Sequence, residues 1–138
     1  MGYEVRARRV SKDGIPLGSS GGFEIGQHIQ DVIQIASSVS VFDPWGYLIT
    51  WDYFVSTTAD QGDVFGRVVG FGDDFPMGNG FPLDIRSNFD GGSDMACNST
   101  GICLLVDSHC SQSYPGCDSE INGRLVYTQR NFLPLTIR

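Results

Sequence analysis

A chain of 138 residues is long enough for one ordinary domain, and a hydrophobic content of 41% supports a packed core rather than a disordered tail. The net charge of −7, with one lysine (Lys12) against eight arginines, lacks the basic face that nucleic-acid binding needs. No apolar run approaches the roughly 20 residues of a bilayer span, and the opening MGYEVRARRV lacks the apolar core of a signal peptide, so either a signal lay upstream and was removed or left out, or the chain is cytosolic.

The glycine count of 18, the sparse helix formers and the frequent turns read as all-β. The first expected strand, Glu4–Val10, lies in a segment that occurs three times: Tyr3–Val10 (YEVRARRV), Gly62–Val69 (GDVFGRVV) and Ser119–Val126 (SEINGRLV). Each copy runs acid (Glu4, Asp63, Glu120), aliphatic, any residue, small (Ala7, Gly66, Gly123), arginine (Arg8, Arg67, Arg124). The arginines fall 59 and then 57 residues apart, a period that points to a solenoid, a propeller or an array. Strand alternation sets the small residue and the arginine on opposite faces. A small residue at a fixed strand position is expected where a neighbouring layer comes close.

A turn follows at Ser11–Gly14, where Asp13-Gly14 supplies the positive φ that such turns use. Short strands are then expected at Phe23–Gly26, Phe81–Arg86 and Leu133–Arg138, with Ile25, Ile85 and Ile137 aligned. Gln27–Ile35 reads as a loop and Ser87–Gly92 as turn-like. Next comes a hairpin, Ala36–Asp43 through Pro44-Trp45-Gly46 into Tyr47–Phe54, and again Asp94–Asn98 through Ser99-Thr100-Gly101 into Ile102–Cys110. The runs GYLITWDYF and ICLLVDSHC suit strands buried on both faces. A three-residue type I loop with a G1 bulge sets Phe42 opposite Leu48 and Cys97 opposite Cys103. Opposed β residues have Cβ atoms about 4.5–5.5 Å apart, close to the span of a disulfide. Cys97–Cys103 is therefore expected to bridge the hairpin, and Cys110–Cys117 to close the loop between them. Four clustered cysteines point to an oxidising compartment.

Each unit holds four strands in roughly 57 residues: the arginine strand, the short strand, then the hairpin. The units run 3–61, 62–118 and, in part, 119–138.

Gly46–Trp51 (GYLITW), Gly62–Val68 (GDVFGRV) and Asp13–Gly18 (DGIPLG) resemble the repeats of bacterial extracellular proteins whose blades form β-propellers. The resemblance implies four-stranded antiparallel blades of β-propeller type, two full repeats plus the first half of a third. It also implies a place outside the cell, at its surface or in the periplasm. The second repeat departs from the pattern, with Val106 where Trp51 stands and no D-G-x-x-L-G turn. Propellers have about four to eight blades, so the implied partners are further blades of a longer chain or other copies of this one, with Arg130–Arg138 as the natural exchanged strand.

Several side chains could carry chemistry. Arg8, Arg67 and Arg124 could ring a ligand, although a residue that recurs with the repeat more often serves repeat architecture through a neighbouring acid. Asp73 and Asp74 (GFGDDF) with Asp90 and Asp94 (NFDGGSD) could supply oxygens to calcium, although neither loop has EF-hand spacing and solvated turns are the plainer reading. The cysteine spacing does not match a zinc knuckle. His28 and His109 lack the company of a catalytic motif. Trp45 tips a turn and could stack on a glycan, whereas Tyr47, Trp51 and Tyr53 read as core or blade interface. Asn98-Ser99-Thr100 has the form of a glycosylation sequon. Asp52 and Asp107 occupy equivalent places in the two repeats, which favours a structural role over the paired carboxylates of a glycoside hydrolase. The sequence thus points to a non-enzymatic structural or interaction module without a cofactor. A carbohydrate-binding module is the second reading and a hydrolase fragment the third.

Overall fold

The computed structural model describes residues 3–26, 32–55, 62–72, 74–84, 90–110 and 119–127. Its strands are β1 (Arg6–Ala7), β2 (Phe23–Glu24), β3 (Val32–Phe42), β4 (Gly46–Val55), β5 (Gly62–Val69), β6 (Phe81–Asp84), β7 (Asp90–Cys97), β8 (Ile102–Cys110) and β9 (Ser119–Tyr127). No helix occurs among the described residues, so none there is long and apolar enough to cross a membrane. The strands form three antiparallel sheets, ordered β1-β2, β3-β4-β5-β6 and β7-β8-β9. A single parallel bridge, Tyr3 to Ile33, ties the start of the chain to the second sheet.

The sheets are phased differently from the sequence repeat. A unit begun at Gly62 would separate β4 from β5, yet these two strands pair continuously from Tyr47↔Val69 to Phe54↔Gly62. Backbone pairing therefore joins each hairpin to the arginine strand that follows it. The first sheet is the later half of such a group, the second is a full group of four, and the third shows its first three strands. Leu133–Arg138 lies outside the described residues.

Two local expectations are corrected. Val32–Ile35, read as loop, begins β3, and Asp90–Gly92, read as turn, begins β7. Both segments are drawn into strand by a bulge that lets the pairing run on beyond it. Between Ile35 and Ser38 two residues oppose Trp51, and between Gly91 and Asp94 two residues, Gly92 and Ser93, oppose Asp107.

The hairpin register also differs from expectation. Phe42 opposes Gly46, and Leu48 opposes Ser40. The Trp45 N–H closes the first turn onto the Phe42 carbonyl at 2.8 Å, around a cis Asp43–Pro44 bond. Gly46 sits at φ +137°, with Val69 O only 2.1 Å from where a Cβ would stand, so the strand can re-enter beside β5 only as glycine. The second turn closes one residue later, from Gly101 N–H to Asn98 O at 3.2 Å. Cys97 therefore opposes Cys103 as expected and bonds to it, with Cα atoms 3.9 Å apart. Its counterpart in the first hairpin is the Val41–Tyr47 pair rather than Phe42–Leu48.

A shift of 56 residues carries one bulge onto the other (36 to 92, 51 to 107). Asp107 thus takes the place of Trp51, not of Asp52, and the residue at the place of Asp52 is Ser108.

The core lies in two seams. Val5, Ile25, Ile49, Trp51 and Val69 pack between the first and second sheets. Phe42, Leu48, Val64 and Val68 of the second sheet pack against Met95, Cys103 and Leu105 of the third. Along β4 the odd residues Ile49, Trp51 and Tyr53 face the first sheet, while Leu48 and Asp52 face the third. Along β9 Arg124 points back to the second sheet, as Arg67 points back to the first. The sheets therefore stack front to back, small-residue face forward and arginine face backward. The small residue at Gly66 makes room within its own sheet, because a Cβ there would meet Leu83 Cδ1 at 2.8 Å and Leu48 Cδ1 at 3.4 Å.

Candidate functional site

The seams are where the polar side chains of the fold are spent. In the seam between second and third sheets, Arg124 donates through Nη1 to the Leu83 carbonyl at 3.1 Å and pairs through Nη2 with the Asp84 carboxylate, which is 1% exposed. From the other direction, Asp52 accepts the Gly92 N–H at 2.7 Å and the Ser93 hydroxyl at 3.0 Å. It thereby clasps the bulge of β7, whose extra residue aims backbone donors out of the ladder. Burial pushes the Asp52 carboxyl above its ordinary value, against the downward pull of its bonds from Gly92 and Ser93. Two more links close the seam: the Ser38 hydroxyl donates to Asp94 Oδ1 at 2.8 Å, and the Cys97 N–H donates to Ser40 Oγ at 3.0 Å.

The seam between first and second sheets follows the same plan with fewer parts. Arg67 Nη1 donates to the Ile25 carbonyl at 2.8 Å, its Nε donates to Gly78 O at 3.1 Å, and its guanidinium lies 3.6 Å over the Phe75 ring. Desolvation lowers the Arg67 pKa and nearby Glu24 pulls it back up. Asp84 pairs directly with Arg124, whereas Glu24 acts on Arg67 through its charge. Arg9 donates to Phe71 O at 3.0 Å across this seam. Trp51 stacks on Phe65 with centroids 6.2 Å apart, and Tyr53 leans on the same ring at 5.1 Å. These aromatics, with Gln34, Arg67 and Asn79, line a small cavity of about 100 Å³.

Alongside this packing the first seam is open. A groove of about 620 Å³ runs between β1 and the hairpin β3–β4, floored by Val39, Tyr47, Ile49 and Val69 and walled by Val5 and Leu17. Val39 and Val41 of the second sheet's backward face are 61% and 52% exposed. At the far end of the stack the forward face of the third sheet is also open, with Ile121 at 78%, Leu104 at 48% and Ile102 at 41%.

The residues singled out in the sequence divide accordingly. Arg67 and Arg124 hold the two seams, and Arg8, at the open end, donates to Leu17 O, Ser20 O and Gly18 O of its own following loop. Trp45 stands at the tip of the β3–β4 turn and is 44% exposed. Asp94 is held below the usual carboxylate range by the Ser38 hydroxyl and the Met95 N–H, and Asp74 accepts the Gly70 N–H on its backbone carbonyl at 2.8 Å. Asp90 is the first residue of β7, with a side chain outside the description, and Asp73 and His28 lie outside the described residues. Among the described residues no group of three or more His, Cys, Asp or Glu side chains could hold a metal ion. Cys110 is disulfide-bonded, and Cys117 lies outside the described residues. Asn98 is exposed, its side-chain oxygen taking the Thr100 N–H at 2.9 Å and the Ile102 N–H at 3.0 Å.

Sequence reasoning missed the Asp52 clasp and the two bulges. The one signal was a lone carboxylate inside the apolar run GYLITWDYF, which a buried strand tolerates only when its oxygens are bonded. Comparison with family models, with curated proteins and with solved structures finds no match.

Proposed function

We propose that this chain is a non-enzymatic extracellular structural module built of β-propeller-type repeats, whose sheets stack with further sheets of the same kind from a longer chain or from other copies. The observation that supports this reading is the repeated seam. Arg67 reaches back to the carbonyl of Ile25, just past β2, and Arg124 to that of Leu83 in β6, and the first seam and the forward face of the third sheet leave apolar residues exposed where the matching residues between second and third sheets are buried. Contiguous exposed apolar surface of this kind marks an association site, and end units of stacked repeats need caps or neighbours. The Cys97–Cys103 disulfide fits an oxidising compartment. Light scattering together with electron microscopy of the purified chain tests the reading. Rings or filaments are expected, and a well-folded monomer at all concentrations would remove self-assembly.

A glycan-binding role is the second reading, favoured by the exposure of Trp45 at a turn tip. On a glycan array, binding by the wild-type chain that is lost in Trp45→Ala would establish it.

A further inference from the structure

We propose that the groove between the first and second sheets takes a β-hairpin in trans, which adds a strand to the open edge of β1 and sets an apolar residue and, four positions on, a carboxylate against the second sheet. This rests on the stacked-repeat reading and deepens it by naming the seat and the chemistry of its occupant.

The seam between second and third sheets shows what the first seam lacks. There Met95, Cys103 and Leu105 are covered by Val64 and Val68 of β5 together with Phe42 and Leu48 of the hairpin β3–β4. In the first seam, β1 stands where β5 stands, and Val5, at the place of Val64, is buried. No described strand takes the place of the hairpin that carries Phe42 and Leu48; Phe71 alone leans edge-on against Tyr47, with ring centroids 5.4 Å apart, and is itself 51% exposed. Val39, at the place of Met95, is consequently 61% exposed where Met95 is 8% exposed. The missing cover is a hairpin.

The edge is also ready for it. β5 is paired on both sides, with β4 and with β6, whereas β1 is paired in its sheet with β2 alone. A sheet edge with free backbone groups accepts an added strand, with main-chain bonds for affinity and side-chain pockets for specificity.

The carboxylate follows from the clasp. Asp52 lies four residues after Leu48 on the same strand face and bonds the bulge of β7. β3 carries the corresponding bulge, between Ile35 and Ser38. An acid in the incoming hairpin meets that bulge as Asp52 meets the one in β7. Charge agrees: Arg9, which reaches across the seam to Phe71 O, lines the groove, and no Asp or Glu is among its lining residues. The occupant is therefore a hairpin patterned like residues 32–55 of this chain.

The test is titration of a labelled synthetic peptide with the sequence of residues 32–55 into the full chain, with amide hydrogen exchange on the complex. Saturable binding is expected in the range of about 1–100 μM, with new protection of the amides of Arg6–Val10. A peptide carrying Asp52→Asn should bind about tenfold or more weakly, the loss of hydrogen bonds to a charged acceptor. Val39→Asp in the chain should abolish binding while leaving the melting temperature unchanged, since Val39 is largely exposed. For a chain that light scattering shows to be monomeric, absence of saturable binding at about 1 mM peptide, unchanged binding to the Val39→Asp chain, or protection elsewhere than β1 overturns the proposal. Light scattering on the same samples separates the two readings. A monomer that binds the peptide keeps the groove and removes self-assembly. If the wild-type chain is already assembled, dispersal by Val39→Asp supports the groove as the contact. Assemblies of unchanged size that bind no peptide keep self-assembly and overturn the groove.

Discussion

The two seams of this molecule are built to one plan and differ in completeness. Between second and third sheets, hairpin and arginine strand together cover the facing sheet, and Leu48, Val64, Cys103 and Leu105 are fully buried. Between first and second sheets the described residues supply only the arginine strand and the short strand, so the arginine link is kept through Ile25 O while Val39 and Val41 stay exposed. The difference separates two jobs that a single seam would have confounded. The arginines fix the relative position of sheets through hydrogen bonds, and the hairpins supply the buried area that stabilises the stack.

Substitutions at matching places in the two seams should break or sharpen that contrast. The largest effect is expected from Arg124→Ala, which takes the cation from a carboxylate only 1% exposed. A loss of about 3–5 kcal/mol is expected in denaturant unfolding, the cost of breaking a buried ion pair from one side. Arg8→Ala, at the open end, should change stability by less than about 0.5 kcal/mol, because its bonds are exposed. Met95→Ala should cost about 2–5 kcal/mol, the usual cost of truncating a buried core residue, while Val39→Ala at the matching exposed position stays within about 0.5 kcal/mol. Equal effects at the two positions would mean that the first seam is covered in solution.

Replacing both Cys97 and Cys103 by serine opens a short loop and should cost about 2 kcal/mol by the loop-entropy relation. The loss is read as the shift in the denaturant midpoint between the double variant and the unmodified chain, both under oxidising conditions, where the disulfide at Cys110 is kept. The smallest expected effect is in the pH dependence of Asp52. Burial lifts its pKa above the ordinary 3.8, so the folded state holds that proton more tightly than the unfolded one. Its contribution is most favourable below 3.8 and is lost as pH rises through the lifted value. Asp52→Asn removes this loss, so variant-minus-wild-type stability should rise with pH across a series from about pH 3 to 6. A flat difference would mean that the clasp is solvated.

Much of the scaffold could be read without coordinates. Alternation and turn chemistry placed the hairpins and the strands at Gly62–Val69 and Ser119–Val126, and the opposed cysteines gave the Cys97–Cys103 bond, because each of these depends on near neighbours in the chain. The first hairpin shows where such reading stops. Asp43-Pro44-Trp45-Gly46 and Asn98-Ser99-Thr100-Gly101 match in sequence, but the first turn closes from Phe42 and the second from Asn98. One residue of phase exchanges the counterparts of every residue along β4 and β8, so that Asp107 stands where Trp51 stands.

The candidate site was less legible for the same reason. The arginines announced themselves by their period, yet their partners, the Ile25 carbonyl for Arg67 and the Leu83 carbonyl with Asp84 for Arg124, come from 42 and 41 residues away for the carbonyls, and no local pattern names them. The Asp52 clasp needs a bulge in another sheet, and a bulge is a property of pairing rather than of composition.

Sequence alone determined that this is a repeating all-β chain with a disulfide across its second hairpin, since period, alternation and turn residues act over a few neighbouring positions. Only the tertiary structure decided where one sheet ends and the next begins, which face of each looks forward, and which seam leaves apolar residues exposed. Those depend on which strands share backbone hydrogen bonds and on what lies across from each apolar face, and both are settled between segments far apart in the chain.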